Sequence, residues 1–391
     1  MLSPETFGCA VRGGALALLA GGLIGLGTSG TVRADDTESL PAVMARLHVQ
    51  EAPEPVRQRA KWRPPHKVVL LELGRSGEWE ARQQAFAAAA PQAQIVVAKD
   101  LAAAITAAAD ADVLIGHNPD ICNAKIIDND KQLRWIASLG AGVENCMAVP
   151  SVHDRNLLMT NMRGVDSAAI GEHAIALTLA LAHGLDVFAA DTAKGVWNRE
   201  HGETIPMQTL PGKTLLVVGL GGIGTEVALR AHALGMKVIA TRDNDRNKPD
   251  FVDYVGLAGE LATLAKTADV IVNCVPLTPQ TKGMFNARFF ATLKPTAFFI
   301  SVARGASTVT ADLTSALNEH RIAGAGLDVV DPEPLPPDNP LWRAPHVIIT
   351  PHISSRSDLP GEARWTLAVE NLRRYANGEK MLLVVDLARG Y

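Results

Sequence analysis

The sequence predicts an α/β protein of two doubly wound parallel-sheet domains with a cleft between them, and three observations predict it. Short apolar runs alternate with helical stretches from Lys67 onwards. That is the pattern of strands covered on both faces by crossover helices. The alternation is interrupted by one long apolar helix, from Asp166 to about Leu185, and resumes after Gly212. At 391 residues the chain also exceeds one typical domain.

In the first run, Val68–Leu73 reads as a strand, Trp79–Ala90 as an Ala-rich helix and Gln94–Val97 as a strand. Leu101–Ala109 follows as helix, Asp112–Gly116 as strand, and Arg134–Gly140 as a strand entering a Gly-rich turn. In the second run, strands are expected at Thr214–Val218, Lys237–Thr241, Val270–Asn273, Ala297–Val302, Gly324–Val329 and His346–Thr350. Helices are expected at Thr225–Leu234, Leu257–Ala265 and Asp312–Glu319, and a final helix at Glu362–Asn377 can return to pack on the first domain. Residues 35–65 read as a polar arm or linker, with an apolar run at Leu40–Val49 and Pro-rich links at EAPEP and RPPH.

Composition excludes several classes. With 37 Lys+Arg against 41 Asp+Glu, the chain lacks the basic surface of a nucleic-acid binder. A hydrophobic fraction of 47% excludes a disordered chain. Cys9, Cys122, Cys146 and Cys274 form no Cys-x-x-Cys pattern, which argues against a zinc module or a disulfide scaffold, and no metal site is expected. Cys146 and Cys274 are expected as small buried side chains, without the local base a nucleophile needs.

Residues 1–34 read as a signal peptide or a membrane anchor. No charge lies between Gly13 and Val32, and Val32-Arg33-Ala34 presents small residues where a signal peptidase reads. Cleavage is favoured because seven glycines between Gly13 and Gly30 weaken a spanning helix. Export, membrane anchoring and a cytoplasmic location all remain open. No membrane contact is expected of the mature chain unless the anchor is retained.

Gly219-Leu220-Gly221-Gly222-Ile223-Gly224 fits G-x-G-x-x-G, directly after an apolar strand and opening a helix. In that context Gly219 makes the tight turn, Gly221 lets backbone amides approach a pyrophosphate, and Gly224 lets helix and strand pack closely. The helix N-terminus adds partial positive charge. The expected cofactor is therefore a nicotinamide dinucleotide on a Rossmann-type domain. Eighteen residues after Gly224, at the end of the next strand, stands Arg242, with Arg246 and Lys248 nearby. A guanidinium there suits a ribose 2′-phosphate, so NADP is preferred, while Asp243 leaves NAD possible.

Three polar islands end later strands, on the side where open α/β sheets bind ligands. They are Ser301–Gly305, Gly326–Leu335 and Thr350–Ser354. With Ser-Leu-Gly-Ala-Gly-Val (138–143), Glu172-His173, the glycine loop and Val-Pro-Leu-Thr-Pro-Gln-Thr (275–281), their order resembles the D-2-hydroxyacid dehydrogenase family from about Val68 onwards. The resemblance implies a flavodoxin-like substrate domain, residues 66–165 with 351–391, and a dinucleotide-binding domain, residues 166–350. It implies hydride transfer between NAD(P)H and a small 2-oxo acid of the glyoxylate or hydroxypyruvate type. Arg304 would bind the substrate carboxylate, His352 would be the general acid, and Glu333 would hold its imidazole. Asp328 would bond the nicotinamide carboxamide; Val275, Pro276, Thr281 and Ala303 would be further cofactor contacts. The backbone amides of Ala141, Gly142 and Val143 would complete the carboxylate site, and a homodimer would form through the crossing-helix region.

Departures from the family pattern fall on the substrate side. Glu144-Asn145-Cys146 replaces an Asp-Asn-Ile-type run, and His183 stands near a usual arginine. Glu333, where the formate-oxidising branch has glutamine, argues against that branch. Glu172-His173 reads as helix packing or a hinge contact. No regulatory domain is expected after Tyr391. A dinucleotide-sensing binding protein with little turnover is the alternative function, since such sensors use the same fold and the same residues. Export also raises a supply problem, because free NADPH is cytoplasmic. It requires cofactor carried out already bound, an anchor facing the cytoplasm, or a different start codon.

Overall fold

In the computed structural model, which describes residues 38–391 except 74–78, 206, 244 and 359–360, two parallel sheets dominate. The expected signal segment, residues 1–34, lies outside the described residues. Strand β1 (Glu51–Pro55) belongs to the arm; β2 (Lys67–Leu71), β3 (Gln94–Ala98), β4 (Val113–Gly116), β5 (Trp135–Ser138) and β6 (Leu158–Thr160) follow. The last five form one sheet in the order β3-β2-β4-β5-β6. Next come β7 (Thr214–Val218), β8 (Lys237–Arg242), β9 (Tyr254–Leu257), β10 (Val270–Asn273), β11 (Phe298–Ser301), β12 (Gly324–Leu327) and β13 (Val347–Ile349). They form a seven-stranded sheet in the order β13-β12-β11-β10-β7-β8-β9.

These orders belong to the flavodoxin-like and Rossmann arrangements. Every ladder within the two sheets is parallel. Strands covered on both faces must be apolar throughout. Accordingly β4, β5, β10, β11 and β12 are buried at every position. The strand order reverses between β7 and β10, and the glycine loop leaves β7 at that switch point. Within these two sheets, two strands had no expectation from sequence, β6 and β9. At three and four residues, they are too short to show periodicity.

The helix Ser167–Ala182 links the sheets and buries Ala174, Leu177 and Leu181 in the seven-stranded core. The final helix, Glu362–Ala376, packs Trp365, Leu367, Leu372 and Tyr375 with Val68, Leu70, Trp79 and Trp135 of the five-stranded core. Beyond it β14 (Lys380–Leu382) pairs antiparallel with β1. The arm is thus more than the spacer its composition suggested. Val43 and Val56 are buried in the same core, and β1 carries Pro53 and Pro55 as an edge strand tolerates. Polar composition hid this because one edge pairing and a few apolar anchors suffice to seat a short segment.

The cysteine reading needs a correction. Cys122 and Cys146 form a disulfide, leaving Cys274, among the described residues, as a free thiol that burial pushes up to about 12. Nothing local signals a pair 24 residues apart; the fold brings the Asp120–Cys122 turn against the short helix Glu144–Met147. Among the described residues no single helix is long and apolar enough to cross a membrane.

Candidate active site

The glycine loop meets the steric demands of its motif. Gly219 has φ +95°, in the left-handed region that favours glycine. A Cβ on Gly224 would lie 2.2 Å from the Gly219 carbonyl oxygen, so only hydrogen fits where the helix crosses the strand. At Gly221 a Cβ would meet nothing within 4 Å: this is the open side of the turn. The following helix, Gly222–Ala233, has first-turn amides without intrahelical acceptors, at Gly222, Ile223 and Gly224 among them. An open cradle lined by amide donors fits a pyrophosphate. The 275–281 loop borders it, since a Cβ on Gly219 would stand 3.1 Å from Val275 Cγ1. The Thr281 hydroxyl closes that loop by donating to the Pro276 carbonyl at 2.6 Å.

Arg242 ends β8 beside this cradle. Its Nε donates to the Leu220 carbonyl at 3.1 Å, and its Nη1 pairs with Asp245 at 2.6 Å. The two other cations point elsewhere: Arg246 binds Tyr254, Val255 and Glu260, and Lys248 binds the Val252 carbonyl. Asp243 pairs with Arg389.

Adjacent strands β11, β12 and β13 deliver the three polar islands side by side. His352 Nδ1 lies 2.8 Å from Glu333 Oε2, while Glu333 Oε1 accepts from the Val330 amide at 3.0 Å. His352 itself has φ +53°, and its amide donates to the Asp328 and Thr350 carbonyls. The Arg304 loop packs directly on this assembly, for a Cβ at Gly305 would fall 1.8 Å from the Val330 carbonyl oxygen.

Two supporting side chains carried no sequence signal. Buried Asn273 donates to Ser301 Oγ at 3.0 Å and to Ser307 Oγ at 2.7 Å, and Ser307 Oγ donates to the Arg304 carbonyl. Asp328 is fully committed to the histidine turn: it accepts from Thr350 Oγ1, the Ile353 amide and the Ser354 amide. Burial would raise its carboxyl, but the bonds from Ser354, Thr350 and Ile353 outweigh it and hold the group below its ordinary value. Its placement is that of a clamp on the turn that carries His352. His173 reaches the same spot, with Nε2 2.9 Å from Thr350 Oγ1. Glu172 turns away to Arg230.

From the five-stranded sheet, the loop Ala141–Val143 approaches Arg304. Asn161 donates to the Ala141 carbonyl at 2.7 Å and Asn118 to the Gly142 carbonyl at 3.0 Å. The amides of Ala141, Gly142 and Val143 have no acceptor among the described residues. The contact is tight: a Cβ on Gly142 would sit 2.1 Å from Arg304 Nη2. Arg304 Nε meanwhile donates to Glu144 Oε1 at 2.8 Å, and its Nη1 to the Ala303 carbonyl at 2.8 Å. A carboxylate of the protein thus rests against the guanidinium expected to take a substrate carboxylate.

Known proteins similar to this chain share its fold and part of its sequence. The profile for the D-isomer specific 2-hydroxyacid dehydrogenase NAD-binding domain matches residues 175–354. A glyoxylate reductase from Thermococcus litoralis is 33% identical over 277 residues, covering 69% of this chain and 82% of that protein. A D-3-phosphoglycerate dehydrogenase from Methanocaldococcus jannaschii is 32% identical over 71% of this chain, which spans only 52% of that relative's length. A D-isomer specific 2-hydroxyacid dehydrogenase from Xanthobacter autotrophicus Py2, solved with NADPH and MES, superposes with a TM-score of 0.70 at 26% identity. That match covers 84% of this chain and 100% of the other.

Proposed function

The chain belongs to the D-2-hydroxyacid dehydrogenase family, and from that premise we propose that it reduces a small 2-oxo acid, such as glyoxylate or hydroxypyruvate, with a nicotinamide dinucleotide. One observation carries the reading: Arg304, Glu333 and His352 stand on packed loops of adjoining strand ends, with the His352–Glu333 contact made. Arg304 would bind the substrate carboxylate, sharing it with the Ala141, Gly142 and Val143 amides. His352 would protonate the carbonyl oxygen from Nε2, with Glu333 fixing the ring through Nδ1. Bound nicotinamide would supply the hydride. Lobe closure would exclude water from the cleft, and residues 66–165 with 351–391 would face residues 166–350 across it.

Arg242 supports NADP as the preferred cofactor, because it is the cation beside the glycine loop; its pairing with Asp245 leaves NAD a competitor. A homodimer through the crossing-helix region is supported by exposed Leu185, Val196, Trp197 and Met207. For the N-terminal segment we propose export, with cleavage after Ala34. The Cys122–Cys146 disulfide supports it, since such bonds persist in oxidising compartments. The ion pair of Arg304 with Glu144 is the one observation favouring a dinucleotide-sensing protein with little turnover.

Loss of absorbance at the reduced-nicotinamide band decides between the two. With glyoxylate or hydroxypyruvate the absorbance should fall for the wild type and not for His352→Ala. Equal rates in both would reject the assigned acid, and no turnover of either substrate with either cofactor would reject the reductase.

A further inference from the structure

At the N-terminal ends of β5 and β6, on the far side of the sheet from the Ala141–Val143 loop, lies a cavity of about 140 Å³. Its walls come from the arm (Val56 and Arg59–Trp62), the approaches to the two strands (Lys131–Arg134 and Arg155–Leu158) and Tyr375 of the last helix. Five cations border it, Arg59, Lys61, Lys131, Arg134 and Arg155, and no carboxylate does.

The cations are poorly compensated. Among the described residues only Arg134 has a carboxylate within ion-pair distance, Asp112 at 3.5 Å, which Arg63 and His66 already share and which also faces the Tyr375 phenol; Arg155 has Asp130 at longer range. Arg59 donates to the Asn156 carbonyl, Arg155 to the Ile127 and Leu133 carbonyls, and Lys131 to the Asp128 carbonyl. Those are neutral acceptors and cancel no charge. The Lys61 side chain has no partner among the described residues. Burial holds the Arg59 guanidinium below its ordinary value. One polar group is stranded in the same place: Tyr375 is 1% exposed with an unpartnered hydroxyl, while buried Arg134 Nε has only the longer ion pair with Asp112 and Arg134 Nη1 donates to the Lys61 carbonyl.

Withdrawing positive charge and donors from water without acceptors is costly. A wall of guanidinium and ammonium donors with a phenol is the chemistry that recognises an oxyanion. We propose that this cavity binds a small oxyanion, phosphate or a phosphomonoester, held by Arg59, Lys61, Arg134 and the Tyr375 hydroxyl. Because the arm supplies Arg59 and Lys61 while the approach to β5 supplies Arg134 and the last helix Tyr375, the bound anion ties the arm to the five-stranded lobe. The site is separate from the cleft and does not rest on the reductase reading.

The test is titration of the full chain with inorganic phosphate and, separately, glycerol 3-phosphate, at constant ionic strength against chloride. Saturating NADPH is present in one arm, to fill the dinucleotide cradle. Phosphate should raise the wild-type melting temperature in both arms, and Arg59→Gln with Lys61→Gln should cut its calorimetric affinity at least tenfold. An equal affinity in that variant, or no phosphate-specific shift with either probe, overturns the proposal. Binding of glycerol 3-phosphate alone identifies a phosphomonoester as the ligand. Should the double variant fail to fold, Lys61→Gln alone decides, since that exposed side chain supports no other contact. A severalfold loss of phosphate affinity upholds the site, and none rejects it.

Discussion

Around His352 the support is local and layered. Glu333 and Asp328 come from the neighbouring strand end, Asn273 and Ser307 brace Arg304 from beneath, and each bond joins loops that the parallel ladder already sets side by side. The Ala141–Val143 loop is held otherwise. Its carbonyls hang from Asn118 and Asn161, and a disulfide from Cys122 anchors the helix that follows it. Both halves of the cleft therefore stand on strand ends, since Asn118 and Asn161 follow β4 and β6, but the second is slung from two side-chain amides and a disulfide. The first arrangement fixes the side chains proposed to react. The second leaves a loop whose position depends on a few separable ties.

That contrast can be broken or sharpened by substitution. The largest effect is expected at the rigid half. His352→Ala should lower kcat for 2-oxo acid reduction by about 10²–10⁴-fold, read from nicotinamide absorbance. A loss confined to KM would mean that the histidine only binds. In the slung half, Cys122→Ser with Cys146→Ser opens a tie between residues 24 apart and should lower stability by about 3 kcal/mol in denaturant unfolding. An unchanged midpoint would show that the asparagines alone hold the loop. Arg242→Asp should shift the NADPH-to-NADH ratio of kcat/KM towards NADH by about tenfold. An unchanged ratio would sink the assigned preference. The smallest effect belongs to the contact between the halves: Glu144→Gln should lower KM for glyoxylate about two- to fivefold with kcat kept, because a half-exposed pair contributes about 0–1 kcal/mol. An unaltered KM would show that Glu144 does not compete with substrate.

Legibility in the sequence followed the same division. Glycines at 219 and 224 announce themselves because a left-handed turn and a helix–strand crossing exclude a side chain, and Gly221 because the motif leaves it open to a pyrophosphate. Arg304, Glu333 and His352 sit in short motifs immediately after recognisable strands, so their neighbourhood could be read in order along the chain. Asn273, Ser307, Asn118 and Asn161 lie in no motif, and their importance arises only from what the fold sets opposite them. Arg246 and Lys248 show the converse: close to Arg242 in sequence, they are drawn by Val255, Glu260 and Val252 away from the glycine loop.

Sequence by itself determined the alternation of strand and helix, the glycine turn at the switch point and the polar motifs that end the later strands. Backbone sterics and two-sided burial impose those locally, on a few consecutive residues. Tertiary structure alone decided the pairing of Cys122 with Cys146, the seating of the arm on β14, the closure of Glu144 on Arg304 and the gathering of cations around Tyr375. Each of these joins residues whose separation along the chain says nothing of their separation in space. They meet only once the chain has collapsed around two apolar sheets.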